Sequence, residues 1–507
     1  MTTTTADQAL KILNQLYSKL VSRRPDIDRW YRYLNGEQRL VYATEEWSKF
    51  NADRYKDFSD NWCDIVAYAP VDRLAIKGIR IPSDDRGVAT SQEKELWGDW
   101  QRNQLGAQSN QGFLASAVAK RSFTLVWGDK NDEPTVTWET ASQMIIGYEA
   151  GTRNRVAALK AWVDEDASDG IEYATLYLPD SVWKYKRSTI VASLRQQGIV
   201  LPDSVTASFG GWEPREVDNE PWPLNNPLGV VPAVEWANRP RLGDNPVSEI
   251  NGVVAMQDAV NAMWAYLFAA ADYASMPARV VIGGEPPKVP ILDGDGQVIG
   301  SRPAKMDDLA QKRLLHLTGA TGIGEWQSAK HDFFLAVIKE CIAHVASQTR
   351  TPTHYLLPNE KFANLNGDAL TAAEVPMGDK CSNSQIHYSP AGAETLALMA
   401  QVRGQDALAA TMRSADPLQL LQWKDPYSHS VAQLADAAMK DRAVGMSLRT
   451  VLERRYGMTE AEIDQELQRI REEKADPVLA ALAGGMGGSS ALSSLAGSTN
   501  ANPAFGG

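Results

Sequence analysis

The sequence is poor in the residues that most often announce chemistry. Cysteine occurs three times in 507 residues, at Cys63, Cys341 and Cys381, widely separated and never as CxxC. An odd count at such spacing argues against a disulfide framework or a thiolate zinc site and leaves three buried or half-buried thiols in a reducing compartment. The six histidines (His316, His331, His344, His354, His387 and His429) are scattered, with no H-E-x-x-H helix, G-x-S-x-G elbow or clustered ligand set. A G-x-x-x-x-G-K-[ST] phosphate loop is missing too; "GATGIG" (319–324) has neither that spacing nor the dinucleotide pattern and reads as a plain loop. "DGDG" (293–296) shares part of a calcium loop but lacks its third acid and terminal Glu, so it reads as a turn. With 63 carboxylates some pair always lies near another, which singles out no acid/base couple. The expectation is a protein without catalytic residues, metal or cofactor.

Positive charge is also short. Lys and Arg total 51 against 63 Asp and Glu, a net charge of −12. A protein that wraps DNA neutralises phosphates with a surplus of Lys and Arg, so this balance argues against that mode but leaves open a surface that DNA slides past. Long apolar runs are absent as well: the most apolar stretch, "AVNAMWAYLFAAA" (259–271), is bounded by Asp258 and Asp272 and falls short of the roughly 20 residues that span a bilayer. The opening "MTTTTADQAL" carries neither the basic nor the apolar part of a signal peptide. The reading is a soluble protein made inside a cell, with no membrane partner.

What is present is periodicity. The length, with 44% hydrophobic and 22% charged residues, suits roughly two to four packed units. Leu10, Ile12, Leu13, Leu16 and Leu20 predict a helix over 6–22, and "RPDIDRWYRYLNG" a second short one ended by Asn35 and Gly36. Helices are expected over about 57–75, 91–103 and 109–120. "RSFTLVWGDKNDEPTVTWET" predicts a hairpin, and "RVAALKAWV", "IEYATLYLP" and "SVWKYKR" predict further strands. Residues 1–245 therefore read as a mixed α+β domain with an antiparallel sheet.

The texture then changes. A helix is expected over 246–275, capped by Asn245 with Pro246 at its first position. Short β runs around Gly and Pro follow, with "ILDGDGQVIG" as a tight hairpin, and a second long helix over 326–349. Pro352 stops that helix, since proline cannot donate to the helical ladder. "RTPTHYLLPNEKFANLNGDA" (350–369) is too polar for a core strand; Asn364 or Asn366 then caps the next helix, "GDALTAAEVPMGDK", with more helix over about 390–414 and 430–441. Residues 446–475 read as two amphipathic helices hinged at Gly457, with Thr459 and Glu462 as a capping box. The last 32 residues, rich in Gly, Ser and Ala, are expected to be disordered.

This order, mixed domain, long helix, small β module, long helix, Pro-broken loop and helical C-terminal part, resembles portal proteins of long-tailed double-stranded-DNA bacteriophages. The segments that carry the resemblance are "YLNGEQ" (33–38), "NWCDIVAYAPVDRLAIKGI" (61–79), "NPLGVVPAVEWANR" (226–239), "SEINGVVAMQDAVNAMW" (248–264), "ASQTRTPTHYLL" (346–357) and "NGDALTAAE" (366–374). It covers about residues 10–475. The resemblance implies a ring, usually of twelve subunits, in the virion at one capsid vertex, assembled in the host cytoplasm. Its parts would be a wing (1–245), stem helices (246–276 and 326–349), a clip (277–325), a tunnel loop (350–366), a long kinked helix (367–414), a crown (415–475) and the tail (476–507). In the tunnel loop, Arg350, Thr351, Thr353, His354, Lys361, Phe362, Asn364 and Asn366 would touch passing DNA. In the clip, Lys288, Arg302, Lys305, Lys312 and Arg313 would meet partners. Those partners would be the large terminase, a head-tail adaptor, and the major capsid and scaffold proteins. Two other readings stand beside it: an unrecognised α+β hydrolase, and a minor capsid or adaptor protein.

Overall fold

The computed structural model describes residues 4–38, 58–81, 90–163, 171–188, 211–243, 245–275, 279–282, 288–294, 296–303, 314–317, 331–357, 367–427, 429 and 431–475. Helices α1 (Ala6–Leu34) and α2 (Trp62–Val71) precede strand β1 (Ile76–Ile79) and helices α3 (Ser91–Arg102) and α4 (Leu105–Ala119). Strands β2 (Arg121–Gly128), β3 (Pro134–Thr140), β4 (Met144–Tyr148), β5 (Arg155–Val163), β6 (Ile171–Tyr177), β7 (Ser181–Ser188), β8 (Glu213–Pro214), β9 (Leu224–Asn225) and β10 (Ala233–Ala237) follow. Helix α5 (Val254–Ser275) leads to β11 (Arg279–Ile282), β12 (Lys288–Leu292), β13 (Val298–Pro303) and β14 (Leu314–Leu317). Then come α6 (His331–Thr349), α7 (Thr353–Leu356), α8 (Gly367–Val402), α9 (Asp406–Ser414) and α10 (Pro417–Leu420). Strand β15 (Leu421–Trp423) and helices α11 (Val431–Ala443), α12 (Leu448–Tyr456) and α13 (Glu460–Ala475) complete the order. The fold class is α+β.

The chain divides into two compact units, one of Met1–Ile27, Pro70–Ser248 and Asn366–Gly507, the other of Asp28–Ala69 and Glu249–Leu365. The first unit holds two cores. In one, the sheet β4-β5-β6-β7-β8 takes the N-terminal part of α1 on one face. Leu13, Leu16 and Leu20 recur at helical spacing and pack with Leu159, Leu176, Trp183 and Tyr185, which come from alternating strand positions. Glu172, fully buried in β6, accepts from the Tyr17 hydroxyl at 2.9 Å and pairs with Arg187 at 2.8 Å. Arg187 in turn lies 4.0 Å from the Trp212 ring centroid and 4.2 Å from that of Tyr17, so the buried charge is matched on every side.

The other core sits on the sheet β10-β2-β3, covered by α4 and α8. Phe113 stacks on Tyr388 at 5.3 Å and meets Trp138, Trp236 and Trp423 at 5.7 Å each. Polar atoms among these rings are paired: Trp236 Nε1 donates to Thr124 Oγ1 at 3.1 Å, and Thr124 and Thr395 hydroxyls lie 2.8 Å apart. Strand β1 pairs antiparallel with β15, joining segments more than 340 residues apart.

Several expectations need correction. Residues 6–34 form one helix that runs through Pro25, because the stripe Leu13, Leu16, Leu20, Arg24, Ile27 and Trp30 stays buried on both sides of the proline and that packing outweighs one missing hydrogen bond. The helix expected over 57–75 is shorter, Trp62–Val71. Strand β4 was not expected. Asn245 does not cap a helix at Pro246: its Oδ1 accepts from Arg121 Nη2 at 3.2 Å, residues 249–253 form turns, and α5 begins at Val254. Helix α8 runs unbroken through Pro376 and Pro390 for 36 residues, with no helix break before 390. The hairpin β2-β3, the strands β5, β6 and β7, and the capping box at Thr459 follow the sequence reading; the Thr459 N–H donates to Glu462 Oε2 at 2.7 Å. Residues 476–507 lie outside the described residues.

Gly112 marks the tightest point of the aromatic core. A Cβ there would stand 1.9 Å from Trp138 Cε2, inside a ring held by its neighbours. Gly112→Ala is expected to destabilise the protein by about 1–3 kcal/mol, read as a lower urea midpoint of tryptophan fluorescence; an unchanged midpoint would contradict this packing.

Candidate channel loop and partner surfaces

The second unit is built on the pair α5 and α6, which pack against each other. Helix α6 buries Ile338, Ile342, Val345, Ala346 and Thr349, one stripe at helical spacing. Helix α5 is unusual in burying polar side chains beside its apolar ones: Gln257, Asp258 and Asn261 are all buried. Each has a partner. Gln257 Oε1 accepts from the Trp62 N–H at 2.7 Å and its Nε2 donates to the Asp60 carbonyl at 2.6 Å. Asn261 Oδ1 accepts from the Asp60 N–H at 3.0 Å, and the Asp60 carboxylate accepts from Trp264 Nε1 at 2.7 Å. Asp258 accepts from the Tyr33 hydroxyl at 2.8 Å.

Burial shapes the titration of this cluster. It raises the Asp258 carboxyl above the usual range, against the opposing pull of the Tyr33 hydrogen bond and Arg29. It also pushes the Tyr33 hydroxyl up to about 12, helped by Asp258, and the Cys63 thiol up to about 12, helped by Asp258 and Asp64. Cys63 is thus an inert core thiol.

The end of α6 is held by backbone geometry as well as by Pro352. Arg350 adopts a left-handed conformation, φ 57°. The Thr351 N–H donates to the Ala346 carbonyl at 3.0 Å and the Arg350 N–H to the Ser347 carbonyl at 3.4 Å, the paired closure of a Schellman cap with arginine where glycine is usual. The Thr349 hydroxyl donates to the Val345 carbonyl at 2.7 Å and lies 2.8 Å from that of Thr351. Pro352 then leads into α7, where the Tyr355 N–H returns to the Pro352 carbonyl at 3.0 Å.

This places the expected loop residues unequally. Arg350 is exposed, Thr353 and His354 are half-buried, and His354 meets the Tyr355 ring edge-on at 4.8 Å. Thr351 is 3% exposed and works inside the turn, which does not fit the contact with DNA expected of it. Lys361, Phe362, Asn364 and Asn366 lie outside the described residues.

In the β module, β12 and β13 form the expected hairpin, with Val289 opposite Arg302 and Lys288 opposite Pro303. Its turn is longer than two residues: the Asp293 N–H donates to the Gln297 carbonyl at 2.9 Å, Asp293 Oδ1 accepts from the Gln297 N–H at 2.8 Å, and Gly296 takes φ 79°. Strands β11 and β14 pair in parallel. Lys288 is exposed and Arg302 half-buried, one residue pair apart; Lys305, Lys312 and Arg313 lie outside the described residues. Ile291, Val298 and Ile299 are exposed on the same hairpin. Among the described residues no group of three His, Cys, Asp or Glu could hold a metal ion, and none of their helices is long and apolar enough to cross a membrane.

Sequence reading found the helix break and the hairpin but missed the buried polar ladder. Its signal was present: Gln257 and Asn261 stand four apart within a mostly apolar helix, a spacing that places both on one face.

The model of the family described as phage portal protein, SPP1 Gp6-like, matches residues 14–477. The chain belongs to that family. No curated protein matches it.

Arg350 carries a left-handed conformation that disfavours side chains with a Cβ. Arg350→Gly is expected to stabilise the protein by about 0.5–1 kcal/mol, the strain relieved less the added freedom of the unfolded glycine. Urea unfolding of the purified chain measures this; a lower midpoint for the glycine variant would rule the Schellman cap out.

Proposed function

We propose that this portal protein forms a closed ring of twelve copies at a single capsid vertex and passes double-stranded DNA along its axis during packaging and ejection. Family membership across residues 14–477 carries the reading, and it favours a structural role over a hydrolase or a minor capsid protein. The ring would dock the large terminase during filling and the head-tail adaptor afterwards, and would meet the major capsid and scaffold proteins at its rim. The motor's ATP chemistry belongs to the terminase, so this chain needs no phosphate loop.

On this reading residues 1–245 are the wing, α5 and α6 the stem, and about 277–325 the clip. Residues 350–366 are the tunnel loop, 367–414 (α8 and α9) the helical segment returning to the wing, and 415–475 the crown. The paired apolar helices around a β module support the stem and clip. The cap at Arg350 supports the tunnel loop, because it fixes where the chain leaves α6 and turns Arg350 outward. Arg350, Thr353, His354, Lys361, Phe362, Asn364 and Asn366 then face the DNA, while Thr351 holds the turn. Few cations in that set mean few phosphate contacts, and so sliding rather than gripping. In the clip, Lys288, Arg302, Lys305, Lys312 and Arg313 offer donors to the acidic and polar surfaces of terminase or adaptor.

Electron microscopy of the purified full-length protein, with its native mass, tests the reading. The expected result is a ring with an axial hole and a mass twelve times that of the chain. A stable monomer at tens of micromolar would overturn the ring, and a reconstruction with residues 350–366 far from the axis would overturn the tunnel-loop assignment alone.

A further inference from the structure

Two exposed loops of the first unit differ in charge and lie at opposite sides of its large sheet. The first follows β10. Asn238 closes its base: Nδ2 donates to the Val247 carbonyl at 2.7 Å, and the Val247 N–H donates to the Asn238 carbonyl at 3.1 Å. The Asn238 N–H also donates to the Lys120 carbonyl at 2.8 Å, and its Oδ1 accepts from the Tyr388 hydroxyl at 3.2 Å. Arg239, at φ 46°, and Gly243, at φ 71°, turn the chain. Arg239 and Arg241 are exposed, and Leu242 stands 96% exposed at the tip. A lone surface leucine is ordinary. One presented on a loop tied at its base is different, because much of the ordering cost of binding has been met before a partner arrives.

The second loop joins β8 to β9. Residues 213–220 hold four carboxylates, Glu213, Glu216, Asp218 and Glu220, against one arginine. That arginine, Arg215, is turned onto aromatic rings, 5.0 Å from the centroid of Tyr173 and 5.4 Å from that of Trp162. Glu220 pairs with Lys184. Glu213, Glu216 and Asp218 remain exposed around Val217, itself exposed. This loop is also tied down: the Glu220 N–H donates to the Val217 carbonyl at 3.0 Å, and Trp222 Nε1 to the Lys184 carbonyl at 2.8 Å.

Strand order sets the two apart. In β4-β5-β6-β7-β8 the acidic loop leaves the β8 edge. The basic loop extends β10, which adjoins the other side, where the Tyr148 hydroxyl of β4 donates to Glu235 at 2.6 Å and Arg155 of β5 donates to the Ala233 carbonyl at 2.8 Å. Four strand spacings of about 4.8 Å put the edges on the order of 20 Å apart.

We propose that these loops are the two halves of a contact between neighbouring copies of this chain, with Leu242 of one copy packed beside Val217 of the next. Arg239 and Arg241 then face Glu213, Glu216 and Asp218. The inference rests on the ring reading above. A ring closes through one heterologous contact repeated, which requires a projecting patch and a receiving patch on different sides of each copy. The apolar pair supplies contact area, and the charges set register and the rate of encounter.

The test uses the full-length chain, with rings counted by electron microscopy and native mass at one fixed low-micromolar concentration. R239E/R241E and E213K/E216K/D218K, each alone, are expected to lower the ring fraction at least tenfold. The chain carrying both sets is expected to recover it, since every contact is then reversed in sign. L242D is expected to lower it without rescue. Matching urea midpoints show that each variant is folded. Normal rings from both charge variants overturn the contact but leave the ring reading intact. Loss in each variant without recovery in the combined chain overturns the pairing of these two loops. Rings that form normally but fail to enter capsids assign the basic loop to another capsid protein and overturn the second-copy occupant. A wild type without rings overturns the ring reading and the contact together.

Discussion

The close approach of α8 to the three-stranded sheet is the constraint on which the first unit depends. That unit is assembled from three separate pieces of chain, and the two longer ones meet at the aromatic cluster of Phe113, Trp138, Trp236, Tyr388 and Trp423. Gly392 lets the helix in: a Cβ there would stand 2.4 Å from Leu421 and 3.2 Å from Trp236. The Tyr388 hydroxyl also reaches Asn238, the residue that follows β10, so ring packing holds the end of that strand as well; rings of this size contribute both area and orientation.

In the second unit the fixing element is polar. Gln257 and Asn261 each satisfy a backbone group of the 59–62 segment as well as side chains. Such bonds add only about 1 kcal/mol each to stability, but leaving one partner buried and unpaired costs more. Their larger effect is on register. An apolar helix face can slide by a turn with modest loss, whereas a helix whose amides match particular N–H and carbonyl groups cannot. Asp258 belongs to the same face, and its raised pKa records burial that Tyr33 and Arg29 only partly offset.

Much of this fold was legible where local and global preferences agree. Strands β5 to β7 follow their β-rich runs, and the Thr459 box follows its capping residues. Legibility failed where tertiary packing overrode a local rule. Pro25, Pro376 and Pro390 lie inside helices because the buried stripes around them outweigh a lost hydrogen bond. Asn245 and Pro246 read as a helix start, but Arg121 claims the Asn245 side chain. Of the site, the helix break was visible through Pro352, while the left-handed Arg350 was not, since arginine gives no warning of positive φ. The burial of Thr351 was equally hidden, because a threonine in a polar loop carries no signal of which way it turns. By sequence Leu242 is one apolar residue in a loop; the hydrogen bonds between Asn238 and Val247 are what tie down the base of that loop.

The distribution of cations connects composition to the proposed role. Many of the described arginines are tied into the fold: Arg403 holds Asp99, which is 1% exposed, Arg187 holds Glu172, and Arg155 and Arg413 share Glu394. The Asp99 hydrogen bond raises the Arg403 pKa further above its ordinary value. A guanidinium committed to a buried carboxylate cannot release counterions from a phosphate backbone, so it adds nothing to the salt-dependent term that dominates DNA affinity. On the reading proposed above, arginines committed in this way leave few cations for DNA, and the net charge of −12, which argues against wrapping DNA, fits a channel that DNA slides through.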